Sequence, residues 1–260
     1  MIHTRFLLAV DIGNTSAHFA LFSKEGRVRA QWRMPTSSLK EKAAWKAIRR
    51  RLPARGVERA AIASVVPVAG ELLKGILKKQ GGMKAYLLGK DLKVPLVNRY
   101  QNPHQVGVDR LVNALAVWRE YRKAAVILDF GTAITLDVVS GKGEYLGGII
   151  APGVEISIEA LHSKTALLPE VGLLHPKGLI GKSTAESIRI GCAVGLGGLC
   201  DRLIHELREA FPGKLALIAT GGYAKFMARY CHNAMDEIDP LLTLKGVRLS
   251  FSHYFPQKNP

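Results

Sequence analysis

Cysteine is scarce: only Cys192, Cys200 and Cys231 occur in 260 residues. An odd count with no CxxC spacing supplies no disulfide framework. Cys192 and Cys200 fall on one expected helix, where eight residues span about 12 Å, too far for a disulfide. Reduced, buried thiols are the expectation. No apolar run reaches the roughly 18 residues of a membrane helix. The run 6–10 is too short for the apolar core of a secretory signal and is cut off by Asp11. The sequence therefore predicts no membrane partner and a cytoplasmic location. The eight histidines show no metal-ligand spacing, and no Ser–His–Asp or Cys–His pattern stands out. Gly181-Lys182-Ser183-Thr184 resembles part of a phosphate-binding P-loop, but position 176 is Pro176 and no strand precedes it, so a P-loop is rejected.

Acidic residues are few: 21 Asp and Glu stand against 37 Lys and Arg, a net charge of +16. Much of the excess lies between Lys40 and Arg59, with Lys42, Lys46, Arg49, Arg50, Arg51 and Arg55. Such a run can serve nucleic acid or an acidic surface. Trp45 is its one aromatic and no nucleic-acid motif accompanies it. A solvated helix face is the preferred reading, and a nucleic-acid partner is not expected. The positive field would also draw in anionic substrates. At 48% hydrophobic and 22% charged, the chain is globular in composition, and 260 residues suffice for one large domain or two ordinary ones.

What is present is a repeat. Residues 124–128 form an apolar run ending in Asp129, followed by Phe130, Gly131, Thr132 and Ala133, and then a second β-rich run to Val139. This predicts strand, tight turn, strand. Gly131 permits a left-handed or close-approach backbone. The turn can offer N–H groups to an anion, and Asp129 offers the oxygen ligands that hard cations prefer. A plain hairpin with an Asp in its turn fits the same residues. Near the N-terminus the arrangement recurs: an apolar strand ends in Asp11, then Ile12, Gly13, Asn14, Thr15 and Ser16, then a second apolar run. Two such copies half a chain apart suggest duplicated domains facing one cleft.

The pair V-D-I-G-N-T and L-D-F-G-T-A resembles the superfamily of acetate and sugar kinases, heat-shock ATPases and actin. The resemblance implies an α/β chain with two duplicated ribonuclease-H-like, actin-like ATPase domains around a central cleft that clamps ATP. Residues 1–115 and 116–260 are the expected domains. Residues 6–34 read as three strands with a turn at Lys24-Glu25-Gly26. Ser37 or Ser38 caps a helix that turns Trp45 and Ile48 inward. A buried strand over 60–66 is stopped by Pro67, a helix follows through Leu72, Leu73 and Leu77, and 85–88 is a strand. That order matches the ribonuclease-H-like core. Residues 96–110 read as a loop that places Asp109 at the start of a helix, where it is either an N-cap or a functional carboxylate; Arg110 alone reads as a surface charge. Residues 154–161 form a helix. Thr184 caps a helix 185–210, whose Gly191, Gly195, Gly197 and Gly198 suit close packing against another helix, in the same subunit or a second one. Gly221 and Gly222 follow a strand over 215–220 and suit close approach to a ligand or a tight turn.

Eight stretches together resemble the type III pantothenate kinases: D-I-G-N-T-S at 11–16, S-V-V-P at 64–67, N-P-H-Q-V-G-V-D-R at 102–110, L-D-F-G-T-A-I-T-L-D at 128–137, G-G-I-I-A-P-G at 147–153, G-K-S-T-A-E-S-I at 181–188, A-T-G-G at 219–222 and D-P-L-L-T-L-K-G at 239–246. Val108 departs from the Ala frequent in that family. The resemblance implies phosphorylation of pantothenate by ATP with Mg²⁺, giving 4′-phosphopantothenate, the first step toward coenzyme A. Asp109 would be the general base and Asp11 the Mg²⁺ carboxylate. The nucleotide would meet Ile12, Gly13, Asn14, Thr15, Ser16, Ala17, His18, Thr132, Gly221 and Gly222. Tyr100, Gly107, Val108, Arg110 and Thr184 would hold pantothenate, and Asp129 a monovalent cation, K⁺ or NH₄⁺. The family also implies a homodimer with a shared substrate pocket. A kinase for another small hydroxylated acid and a regulatory protein are the rival readings; the intact Asp11, Asp109 and Asp129 favour an active enzyme.

Overall fold

Strand β1 (Phe6–Ile12) is buried on both sides from Leu7 to Val10, the pattern of a strand at the centre of a covered sheet. The structure is a computed structural model that describes residues 6–41, 43–54 and 56–256. Lys42 and Arg55 of the basic segment lie outside the described residues. The chain divides into two compact units. The first takes in Met1–Glu120, Gly143–Tyr145 and Leu241–Pro260, and the second Tyr121–Lys142 and Leu146–Pro240.

In the first unit β1 pairs antiparallel with β2 (Ser16–Ser23), and β2 with β3 (Val28–Pro35). On its other side β1 runs parallel to β4 (Val57–Ser64), and β4 to β5 (Lys84–Leu87). The order is β3-β2-β1-β4-β5. Gly26 has φ +80°, which the expected turn between β2 and β3 requires. One face packs Leu8, Val10, Ile12, Phe19 and Trp32 against α1 (Ala44–Arg49) and α2 (Pro67–Gly81) through Ile48, Leu73 and Leu77. Phe19 and Trp32 stack with centroids 5.1 Å apart. Pro67 opens α2 at its first turn, where its missing N–H costs nothing.

The opposite face packs Leu7, Ala9, Ala20 and Phe22 against α3 (Val108–Tyr121) and the last helix, running Leu242–Tyr254. Leu244, Val247 and Phe251 of that helix are buried there, on the order of 5–9 kcal/mol of gross transfer energy. Gly246 makes the close approach possible, since a Cβ there would run into the Val112 carbonyl of α3. A cut at residue 115 would put this helix in the other domain, whereas it packs in the first unit. The tail is likewise less featureless than its sequence: the Phe255 ring lies 5.2 Å from that of Tyr86.

In the second unit β7 (Ala125–Phe130) pairs antiparallel with β8 (Ala133–Val139) and parallel with β10 (Ala216–Thr220); β10 pairs with β11 (Glu237–Ile238). With β9 (Glu144–Pro152) the order is β11-β10-β7-β8-β9. Both units thus have a central strand, a hairpin partner on one side and parallel crossover strands on the other. The duplicated ribonuclease-H-like reading is borne out. A short strand, β6 (Val97–Asn98), pairs with Glu144 and Tyr145 inside the first unit and interrupts what reads in sequence as loop.

Three local expectations are corrected. No serine caps α1: residues Thr36–Lys40 form a 3-10 turn and the cap is Ala43. The helix after residue 183 runs unbroken to Ala210 as expected but is not α-helical throughout: α5 (Thr184–Ile190) passes through a π-helical segment, Gly191–Gly195, into α6 (Leu196–Ala210). Its cap is Ser183, whose hydroxyl accepts the Glu186 N–H at 3.3 Å, so Thr184 is the first helical residue. Of its four glycines, Gly197 serves internal packing, because a Cβ there would meet the Tyr230 carbonyl. Gly191, Gly195 and Gly198 have nothing within 4 Å. The helix expected over 154–161 is α4 (Val154–Ser163), and α7 (Ala224–Met227) follows β10; the helix over Leu242–Tyr254 is α8.

Candidate active site

Each unit carries one strand that ends in Asp and turns at once. In the first, Asp11 is half-buried one residue before the end of β1, opposite His18 on β2 and Ala63 on β4. The Gly13 N–H closes the turn by donating to the Ser16 carbonyl at 3.0 Å. Thr36, just past β3, grips it from the side. Its hydroxyl donates to the Gly13 carbonyl at 2.7 Å and its N–H to the Thr15 carbonyl at 3.0 Å. Asn14 and Thr15 are exposed, Ser16 is half-buried, and the side chains of Ile12 and Ala17 point into the core. Burial, with help from the Arg33 charge, lowers the His18 imidazole to about 4 against an opposing hydrogen bond from Gln31, so it is neutral at pH 7.

The same unit holds Asp109 as the second residue of α3. It is not the cap; as an acidic side chain in the first turn it complements the positive end of the helix. Its Oδ1 accepts the Arg110 N–H at 2.8 Å. A Cβ at Gly107 would run into that oxygen, so a side chain there would force the Asp109 carboxylate to move. Val65 connects this place with the Asp11 turn. Its N–H donates to the Ile12 carbonyl at 3.1 Å, and its side chain lies 3.6 Å from where a Gly107 Cβ would be. Arg110, read from sequence as a surface charge, is 7% exposed. Its guanidinium lies 5.8 Å from the ring centre of Tyr145, and Tyr145 lies 6.3 Å from Tyr100. Tyr145 is fully buried and went unnoticed in the sequence, where no pattern marks it. Val108, at the head of α3, is half-buried.

In the second unit Asp129 ends β7 in the same way, opposite Thr135 on β8 and Thr220 on β10. The Gly131 N–H donates to the Ala133 carbonyl at 3.1 Å. Neither turn glycine is left-handed, and a Cβ on Gly131 would stand at an ordinary 3.5 Å from Asp129 Oδ1, so Gly131 uses neither of the two freedoms glycine allows there. The sterically required glycines are others. Gly221 has φ +94°, and its Cβ would stand 2.5 Å from Asp129 Oδ1 and from the Phe130 carbonyl. Gly153 lies against the Gly131 and Thr132 carbonyls, where a Cβ would clash. Asp129, Thr132, Gly153 and Gly221 therefore meet at one spot; Gly153 figured in the sequence only as the end of a motif. Gly222 is exposed in the following turn, and Thr184 is exposed at the head of α5. Among the described residues no group of three or more His, Cys, Asp or Glu could hold a metal ion, and no helix is long and apolar enough to cross a membrane.

A family model described as type III pantothenate kinase matches residues 7–206. The type III pantothenate kinase of Moorella thermoacetica is 36% identical over 251 residues, 94% of this chain and 98% of that one. That of Syntrophobacter fumaroxidans is 37% identical over 263 residues, covering 98% and 100%. Among solved structures, a ROK family glucokinase from Streptomyces griseus in complex with glucose and AMPPNP superposes with a TM-score of 0.52 at 13% identity, covering 93% of this chain and 97% of that one. The last likeness concerns the fold, which is that of the actin-like ATPases and sugar kinases.

Proposed function

Because the chain belongs to the type III pantothenate kinase family, we propose that it transfers the γ-phosphoryl group of ATP to the primary hydroxyl of pantothenate, with Asp109 as the general base. The observation that carries the Asp109 role is its setting. One carboxylate oxygen is fixed by the Arg110 N–H, and the neighbouring residue, Gly107, can bear no side chain without striking it. A positioned carboxylate of this kind can take the hydroxyl proton as phosphorus is attacked.

Phosphoryl transfer asks the protein mainly for positioning and charge neutralisation. Mg²⁺ is commonly held by one or two carboxylates together with substrate phosphates and water, so the single carboxylate of Asp11 suits it. Residues 12–18 would lie along the phosphates, with Thr132, Gly221 and Gly222 also serving the nucleotide. Asp129 would hold K⁺ or NH₄⁺. Tyr100, Gly107, Val108 and Thr184 would position pantothenate, Arg110 supplying the positive charge its carboxylate calls for. The enzyme would work in the cytoplasm. A homodimer fits the second unit, where Leu167, Leu179 and Ile180 are 92%, 73% and 80% exposed and a partner subunit would cover them.

The test is Asp109→Asn. Turnover should fall by about 10²–10⁴-fold with the fold and ATP binding retained. A correctly folded variant that turns over at the parent rate removes Asp109 from this role.

A further inference from the structure

Beside the Asp11 turn three ionisable side chains stand in a row across neighbouring strands. Asp11 on β1 pairs with His18 on β2, and His18 pairs with Arg33 on β3. Directly paired residues of an antiparallel ladder share a face, with Cβ atoms about 4.5–5.5 Å apart. Asp11 and Arg33 are therefore separated by about 10 Å at their Cβ atoms, a gap that an extended arginine largely closes.

The face on which the row stands is covered elsewhere. Leu7, Ala9, Ala20 and Phe22 lie on it beneath α8. Toward the edge strand β3 that cover ends, and Arg29, Gln31 and Arg33 are exposed. Among the described residues Arg33 has no carboxylate partner. Its position is nonetheless fixed. Thr36, three residues on, is tied to the turn by its hydroxyl and its N–H at 2.7 and 3.0 Å, so the end of β3 and the turn move as one piece.

We propose that Arg33 contacts the polyphosphate of a nucleotide seated over residues 13–16, on the far side from the cation-holding Asp11. The proposal rests on the nucleotide reading of that turn. A guanidinium is suited to the task because its forked donors match phosphate oxygens two at a time. Arg29 sits four residues further along β3, about 13 Å from Arg33 along the strand, away from the turn and beside the register shift at Leu21 and Phe22.

Mg·ATP binding measured by calorimetric titration, with steady-state kinetics for both substrates, decides the matter in Arg33→Gln, Arg33→Lys and Arg29→Gln. Arg33→Gln should weaken Mg·ATP binding and raise the ATP KM about 10- to 100-fold, the loss of one hydrogen bond to a charged group. The pantothenate KM and the melting temperature should stay at parent values. Arg33→Lys should recover part of the loss, and Arg29→Gln should match the parent. Unchanged ATP affinity in Arg33→Gln overturns the proposal, as does an equal loss in Arg29→Gln, which would mean a general field. The functional reading fails separately. If the parent binds Mg·ATP but releases no ADP with pantothenate, the acceptor assignment falls while the titration still decides Arg33. If the parent binds no Mg·ATP, the nucleotide turn and the Arg33 contact fall together.

Discussion

Replacing Gly221 by Ala perturbs the second unit at its tightest point. Two penalties combine. The backbone stands at φ +94°, where a Cβ costs about 1–2 kcal/mol. The methyl would also lie 2.5 Å from Asp129 Oδ1 and from the carbonyl carbon and oxygen of Phe130. Phe130 belongs to the central strand and has little room to yield, so overpacking adds about 1–3 kcal/mol. The total of about 2–5 kcal/mol should lower the melting temperature by roughly 4–20 °C, at 2–4 °C per kcal/mol for a chain of this size. Gly75→Ala is the counterpart. Gly75 lies inside α2 with nothing within 4 Å, so alanine there should gain about 0.5–1 kcal/mol and raise the melting temperature slightly. Scanning calorimetry of the ligand-free variants reads both. A Gly221→Ala protein melting within about a degree of the parent would refute the packing argument.

Other outcomes follow from the same geometry. Replacing K⁺ by Na⁺ should slow turnover sharply, and Asp129→Ala should abolish the difference; equal rates of the parent in both salts count against a cation at Asp129. Mixing inactive Thr184→Arg and Asp109→Asn proteins should restore activity, because a mixed dimer keeps one pocket free of both lesions; a monomeric mass in solution would end the dimer reading. His18 makes the fold acid-sensitive. Its pKa is lowered to about 4 in the folded chain, so between the usual 6.5 and 4 the unfolded chain binds the extra proton and stability falls as pH falls. His18→Gln should flatten the urea midpoint over that window, and an unchanged slope would show that other groups set it.

The strands were legible because their causes are local. Apolar runs ending in Asp11 and Asp129 and a Gly near each turn mark both hairpins, and the copying of one pattern marks the duplication. Pro67 and Gly26 announce a helix start and a turn for reasons contained in their own backbones. What was not legible depends on partners distant in sequence. Arg110 reads as a surface charge until Tyr145, 35 positions later, is packed beneath its guanidinium. Gly153, Gly221 and Gly246 look alike in sequence, yet each is demanded by a different remote carbonyl or carboxylate. Ser183 and Thr184 are both good caps by composition; the Glu186 N–H selects the first. The π-helical segment 191–195 has no periodicity of its own to betray it.

The return of α8 to the first unit has a consequence for biosynthesis. Helix Leu242–Tyr254 covers the apolar face formed by Leu7, Ala9, Ala20, Phe22, Ala61 and Ala63, all translated long before it. At roughly 5–20 residues per second, the ribosome needs about 6–24 s to make the stretch between residue 120 and residue 241. Throughout that interval the nascent sheet waits with one side covered by α3 alone. A message truncated near codon 240 would therefore yield an adhesive chain, prone to aggregate and dependent on chaperones, instead of a shorter kinase.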